Sequence, residues 1–371
     1  MIYLGGCGFG CFRNVIFPHD QRAAAGRAPV GYCLLGQNGM ALSADPFHIH
    51  RLIDEAVLQQ RLQHSRYTVD MHPPVRLVAI DMDGTLLPTL SSQVSARNAR
   101  ALRDAQKAGI VVAIATGRRS AYTIPLLEGL GLRADTPLIT SNGAVTRTLG
   151  GELGSESIDR CHLPSRIARG LCGLLRPFGS IVFTFDRPGR GELALEDLEQ
   201  AHGRIALWVE ANRDAIEVIK PLEDALADGD DPIQGMVAGG IERIRAAEDA
   251  LKASGWADAC EAVRTEYPAR DLSILDLLPR GVHKGWALER LAARLGVDRR
   301  ETMAIGDNWN DVGMFEWAGQ PVVMANAALE LRTMAKTNGW KQAPSNDHDG
   351  VAMVLEAAIR KLFGEPAVVA G

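Results

Sequence analysis

The stretch VRLVAIDMDGTLLP, residues 75–88, constrains the fold of this chain more than any other. Apolar and β-branched residues run into Asp81, and Asp83, Gly84 and Thr85 then break the run. That pattern reads as a buried parallel strand ending in a tight turn. Open α/β sheets place their chemistry at the carboxyl ends of such strands. Side chains alternate along a strand, so Asp81 and Asp83 can face one small volume while Met82 points away. Like charges held close need a cation or a proton between them. The competing reading is a helix-capping aspartate followed by a glycine turn, and later segments have to separate the two.

Those segments continue the alternation. SSQVSARNARALRDAQKAG (91–109) carries Val94, Ala99, Leu102 and Ala105 near helical spacing and stops at Gly109. IVVAIATGR (110–118) is a second apolar run, ending at Thr116 and Gly117. SAYTIPLLEGLGL is the next helix, disturbed at Pro125. PLITSNGAV (137–145) is a third strand that ends in Ser141, Asn142 and Gly143. Strands and helices in turn predict an α/β domain with a parallel sheet. A Thr–Gly pair at a strand tip can offer a hydroxyl and backbone N–H groups to an anion. Taken alone, Thr116 reads more simply as a turn or cap residue.

Near Leu149 the rhythm changes. A helix is expected over 161–178 and a short strand with a turn over 180–189, with more short strands in DAIEVIKPL, DPIQGMVAGG, ACEAVRTEY and DLSILDLLP. IERIRAAEDALKASG (241–255) is a clear helix, its Ile241, Ile244, Ala247 and Leu251 sharing one face. This α+β pattern bounds a second domain at 151–275, inserted into a core of 75–150 and 276–363, with a tail at 364–371. The core resumes at GVHKGWALERLAARLGV (281–297), an amphipathic helix with Lys284 in its first turn. The helix dipole favours anions there, so Lys284 either meets a bound anion or simply faces solvent. In TMAIGDNWND a strand (302–305) runs into Asp307, Asn310 and Asp311. Acidic residues four apart at a strand–helix junction can approach one ion. PVVMANA (321–327) is another strand, and 345–363 is a capped C-terminal helix.

The first 74 residues do not share this pattern. Gly5 to Gly10 imitates a dinucleotide fingerprint but follows too short a run for a core strand. Cys7, Cys11, His19, His48 and His50 match no common zinc spacing. Only 48–63 has helical character, and 64–74 reads as a linker closed by two prolines. The segment is expected to be a disordered appendage, or to precede a true start at Met71. Lys plus Arg is 40 against 45 Asp plus Glu, a net charge of −5, so no basic excess points to nucleic acid. The 6 cysteines lack framework spacing, which suggests a reducing compartment. No apolar run has membrane-spanning length and no signal sequence is evident, so the expected location is the cytoplasm, without a membrane partner.

DMDGT (81–85), ATGR (115–118), HKG (283–285) and GDNWND (306–311), in that order, resemble the haloacid dehalogenase-like hydrolase superfamily. Within it they are similar to the Cof-type phosphatases, whose class IIB α+β cap is inserted between the second and third motifs. NGA (142–144), NA (326–327) and SNDHDGV (345–351) also resemble that group. The resemblance implies a Rossmann-like parallel-sheet core with an α+β cap. It also implies a Mg²⁺-dependent phosphatase acting on a small phosphorylated metabolite, a sugar phosphate or a phosphorylated cofactor, through an aspartyl-phosphate. By the same resemblance Asp81 is the nucleophile and Asp83 the general acid and base, which also gives its main-chain carbonyl to the ion. Thr116, Gly117 and Lys284 hold phosphoryl oxygens, Asn310 positions the phosphoryl group, and Asp81, Asp83, Asp307 and Asp311 form the metal set. Asn142 and Gly143 lie on the substrate side, and His283 receives no role. Independent chemistry agrees: a carboxylate attacks phosphorus well only when phosphate charge is neutralised, and Mg²⁺ prefers oxygen ligands. A phosphomutase using the same intermediate, or a non-catalytic phosphometabolite sensor, are the alternatives.

Overall fold

A computed structural model describes residues 33–35, 41–43, 73–150, 157–187, 191–226 and 230–363 of the 371-residue chain. It divides into two units, Met1–Met71 and His72–Gly371. In the first, the described residues form an antiparallel hairpin of β1 (Cys33–Leu35) and β2 (Ala41–Ser43). The helix expected over 48–63, the glycines at 5–10, the cysteine and histidine residues near them and the tail at 364–371 lie outside the described residues.

In the second unit the run that opens the sequence argument becomes β3 (Leu77–Asp81), buried along its whole length. There follow α1 (Ala96–Lys107), β4 (Val111–Ala115), α2 (Ser120–Leu127), β5 (Pro137–Thr140), β6 (Val145–Thr148) and β7 (Ser157–Arg160). Helix α1 starts where the Ser95 side chain accepts the Asn98 N–H, and it turns Ala99, Leu102 and Ala105 inward. The insert then supplies α3 (Ser165–Leu175), β8 (Ser180–Thr184), β9 (Leu193–Leu195), α4 (Leu198–Ala211), β10 (Ile216–Val218), β11 (Gln234–Gly239), α5 (Ile241–Lys252), β12 (Cys260–Tyr267) and β13 (Leu272–Pro279). The chain returns through α6 (Lys284–Leu295), β14 (Thr302–Gly306), α7 (Val312–Trp317), β15 (Gln320–Met324), α8 (Leu329–Thr337), β16 (Lys341–Ala343) and α9 (Gly350–Leu362).

The core sheet has eight strands in the order β16-β15-β14-β3-β4-β5-β6-β7. It is parallel from β16 to β5 and antiparallel from β5 to β7. Alternation along β3 builds three layers. Val78 and Ile80 pack with Leu102 of α1 and Leu355 of α9, while Leu77 and Ala79 pack with Leu288 of α6, Phe315 of α7 and Leu331 of α8. Each fully buried side chain of leucine size contributes roughly 1.5–3 kcal/mol of apolar burial. With both faces covered, β3 cannot be the exposed turn of a capping aspartate.

The insert forms a six-stranded sheet, β10-β9-β8-β11-β13-β12, antiparallel except between β9 and β10. Its outer face carries α3 and α5 through Ile167, Leu171, Ile244 and Leu251. The opposite face packs Leu193, Leu195, Met236 and Leu272 against Ile205 and Val209 of α4. Strand pairing shifts the expected boundaries at 151 and 275. Residues 157–160 pair with β6 in the core sheet, and Asp276 to Pro279 continue β13 along its whole pairing with β12. A strand is not divided between sheets, so the junctions fall near 160 and 280. The helix expected over 161–178 begins only after Pro164, and α4 has no counterpart among the sequence expectations.

Candidate active site

The tips of β3 and β14, adjacent in the sheet, deliver the acidic residues to one point. Asp81 closes β3, Asp307 follows β14, and Asp311 ends the short 3₁₀ turn Trp309–Asp311. One carboxylate oxygen from each of Asp81, Asp307 and Asp311 lies within 4.8 Å of the others, and all three residues are buried. Lys284, the first residue of α6, has 0% exposure. Its Nζ donates to Asp81 Oδ1 at 2.6 Å and to Asp311 Oδ1 at 2.7 Å. The solvent-facing alternative for this lysine is therefore wrong. Asp311 Oδ2 also accepts the N–H groups of Asp307 and Asn308, at 3.0 and 3.1 Å.

The turn after β3 is built to approach Asp307. Thr85 Oγ1 donates to Asp307 Oδ1 at 2.7 Å, and Asn326 Nδ2 donates to the Gly84 carbonyl at 2.7 Å. Gly84 has φ +79°, and a Cβ there would stand 2.3 Å from Asp307 Oδ2, so only glycine fits. Asp83 turns its side chain elsewhere. Arg118 donates to it twice, Nε to Oδ2 at 2.7 Å and Nη2 to Oδ1 at 2.5 Å. Of the expected metal set, then, three side chains meet and the fourth carboxylate is held by a guanidinium.

Thr116 is buried at the tip of β4, and its Oγ1 accepts the Arg118 N–H at 3.1 Å. Gly117 lies against Asn142; a Cβ at 117 would be 3.1 Å from Asn142 Nδ2. Gly143, at φ +105°, is packed on the His283 carbonyl, which a Cβ would meet at 2.6 Å. The tip of β5 thus abuts the backbone that launches Lys284, while His283 itself caps α6 by accepting the Trp286 N–H. Asn142 Nδ2 donates to Asp276 Oδ2 at 2.8 Å, Asn310 Nδ2 donates to Asn142 Oδ1 at 3.1 Å, and Gln234 Nε2 donates to Asp276 Oδ1.

Sequence reasoning missed Thr85, Arg118, Asn326 and Asp276 as parts of this arrangement. Arg118 was in view as the last letter of ATGR. Asp276 also left a signal, being a lone acid among the apolar residues of SILDLL.

The electrostatics call for a cation. Burial, with the Asp311 carboxylate beside it, pushes Asp81 up to about 7, although the Lys284 ammonium pulls the other way. Burial and the charges of Asp81 and Asp311 push Asp307 well above the usual carboxylate range. Burial opposes the Lys284 charge, but Asp311 and Asp81 outweigh it and hold the ammonium above its ordinary value. Three carboxylates against one ammonium leave a surplus of negative charge, and the donors are all oxygen. That is a site for a hard divalent ion, and the cofactor is Mg²⁺.

A cavity of about 330 Å³ opens beside these groups, between core and cap. Asp81, Asp83, Gly117, Arg118 and Asn310 line it from the core. Trp208, Gln234, Met236, Tyr267, Ile274 and Asp276 line it from the cap. The cap is seated by Arg119, which bonds Glu192 and Asn212, and by Asn308, whose Oδ1 accepts the Glu266 N–H at 3.2 Å and whose Nδ2 donates to the Glu266 carbonyl at 3.0 Å.

A sequence model of haloacid dehalogenase-like hydrolases matches residues 78–355. Phosphatase YwpJ of Bacillus subtilis is 31% identical over 307 residues, spanning 76% of this chain and 99% of that protein. The 5-amino-6-(5-phospho-D-ribitylamino)uracil phosphatase YwtE of the same organism is 30% identical over 295 residues, spanning 76% and 97%. A solved haloacid dehalogenase-like hydrolase from B. subtilis aligns at a TM-score of 0.62 and 25% identity, over 76% of this chain and 99% of that one.

Proposed function

This chain belongs to the haloacid dehalogenase-like hydrolases, and we propose that Asp81 carries its chemistry as the nucleophile. It is a Mg²⁺-dependent phosphoric monoester hydrolase of the Cof type. The observation that carries the assignment is that, of the two carboxylates bonded to the fully buried Lys284 ammonium, Asp81 lines the cavity and Asp311 does not. That ammonium engages Oδ1 of Asp81 and leaves Oδ2 to attack phosphorus.

In this reading Oδ2 of Asp81 forms a bond to phosphorus as the bond to the leaving oxygen breaks. Asp83 gives its proton to that oxygen. Water then attacks the aspartyl-phosphate, Asp83 takes back a proton, and phosphate leaves with the Asp81 carboxylate restored. Lys284, the Thr116 hydroxyl, the Gly117 N–H and Asn310 hold the phosphoryl oxygens. When bound, Mg²⁺ neutralises phosphoryl charge from among Asp81, Asp307, Asp311 and the Asp83 carbonyl. Arg118 grips both Asp83 oxygens, so proton transfer requires that one of those bonds be given up.

The leaving group belongs in the cavity under the cap. Trp208, Met236, Leu272 and Ile274 give it an apolar wall, and Thr184, Asn212, Gln234, Thr265 and Arg270 line it as well. That wall suits a phosphorylated cofactor with a flat apolar part better than a bare hexose phosphate, which presents hydroxyls all round. The test is a panel including pyridoxal phosphate, flavin mononucleotide and hexose phosphates, scored for released phosphate and for isomerised sugar. Phosphate release should require Mg²⁺, stop in EDTA, and be fastest with a heterocyclic substrate. A hexose phosphate as the best substrate would overturn the choice of leaving group. Isomer without phosphate would overturn the hydrolytic reading.

A further inference from the structure

We propose that Asp276, on cap strand β13, is a positioning residue that fixes the orientation of Asn310 in the core, acting through Asn142. The inference rests on the proposed role of Asn310 toward the phosphoryl group. Asp276 is 5% exposed and is the one charged residue of its strand, and its two oxygens take bonds from Gln234 and Asn142. An ionised carboxylate only accepts hydrogen bonds, whereas a carboxamide has two nearly isosteric orientations that exchange donor and acceptor. Facing Asp276, Asn142 must present Nδ2, which leaves Oδ1 for its other neighbour. Asn310 must then present its own Nδ2 to Asn142. One acceptor-only group thereby settles two amides in series.

Little else settles them. Asn142 sits at φ 51° and lies against Gly117, so its backbone place is fixed while its amide could still turn over. Asn310 Oδ1 is buried without a protein partner among the described residues, so nothing at that end opposes a flip. Because Asp276 and Gln234 both belong to the cap sheet, the working orientation of Asn310 depends on that sheet being seated. Burial pushes Asp276 up to about 7, against the bonds from Gln234 and Asn142 that favour its charge, so the acceptor-only carboxylate is the form above that value and the variants are compared at about pH 8.5.

The experiment uses the full chain with Mg²⁺ and p-nitrophenyl phosphate, comparing Asp276→Asn, Asn142→Asp and the double exchange. Asp276→Asn puts a group at 276 that can donate as well as accept, so both amides lose their bias. We expect kcat to fall by about 10- to 100-fold, the scale of a misplaced reacting group, with little change in Tm. Asn142→Asp sets two carboxylates against each other and should be worse. The double exchange places the acceptor-only group at 142, facing donors on both sides. It should recover at least about ten-fold in kcat over Asn142→Asp, while KM stays raised because the charge now lies beside Gly117. Relief of the carboxylate repulsion alone would restore Tm and kcat together, so the positioning role is read from a kcat that falls in Asp276→Asn while Tm holds. Wild-type protein without Mg²⁺-dependent turnover would sink the reading beneath the proposal. Active wild type with an unimpaired Asp276→Asn, or a double exchange no better than Asn142→Asp, would sink the proposal itself. If Asp276→Asn does not fold, the comparison of the double exchange with Asn142→Asp still decides, read as kcat recovered beyond any recovery in Tm.

Discussion

Asp81 and Asp83 lie two positions apart and keep different company, and that difference divides the work between them. Asp81 is bonded to Lys284 inside the acidic cluster, whereas Asp83 is paired with Arg118 at its edge. Asp81→Asn removes the attacking oxygen, so intact mass after rapid quench should show no phosphoenzyme. Asp83→Asn keeps the backbone carbonyl and should still be phosphorylated by p-nitrophenyl phosphate, whose leaving group needs little protonation. Its hydrolysis should then slow by about 10²- to 10⁴-fold, trapping phosphate on Asp81; phosphate on any other residue would reject the mechanism. A second consequence is thermodynamic. In the metal-free protein Asp81 titrates near 7 and Asp307 well above its ordinary value, against 3.8 for an unperturbed aspartate. The folded state therefore holds protons that the unfolded chain releases. The stability they contribute is full below about pH 4 and is lost as pH rises through 7. Mg²⁺ replaces those protons, so the rise in Tm on adding it should grow between pH 5.5 and 8. A rise independent of pH would show that the cluster does not titrate as described. The carboxylates were legible because they lie inside short motifs. Asp276 was not, because what makes it matter is a partner 134 residues away.

At the scale of elements, the meeting of β5 with the start of α6 sets where Lys284 points. Gly143→Ala would strain a backbone at φ +105° and bring Cβ within 2.6 Å of the His283 carbonyl. Strain of this kind costs of order 1–3 kcal/mol. The variant should lose that much in urea unfolding, and it should lose more kcat than Gly109→Ala, whose added Cβ meets nothing within 4 Å. Equal kcat in the two variants would separate the β5 tip from catalysis. Helices α5 and α6 were readable from their apolar stripes. Helix α4 was not, although Ile205 and Val209 stand four apart on its buried side, because the apolar Ala206, Leu207 and Trp208 between them blur the stripe, Leu207 being exposed. Strands β6 and β7 read VTRT and SIDR, too short and polar to show the period of a buried strand, so the antiparallel edge of the core sheet was invisible.

At the scale of the molecule, every site residue belongs to the unit that starts at His72. Removing residues 1–71 should therefore leave kcat within about two-fold, since termini outside the motifs are the segments most tolerant of change. A folded truncation with a large loss would bring that segment into the active unit. The order of the motifs made the inserted cap legible, and only strand pairing could place its ends. The same insertion fixes a timetable for biosynthesis. Leu77 of β3 pairs with Val111 on one side and with Thr302 on the other. On a ribosome moving at about 5–20 residues per second, the second partner emerges roughly 10 to 45 s after the first strand. Through that interval the central strand of the core offers one bare, apolar edge to any neighbouring chain, and the cap between the two partners is completed only near its end. Nascent chains stopped before β14 should accordingly be bound by holdase chaperones, and those extended past Gly306 released.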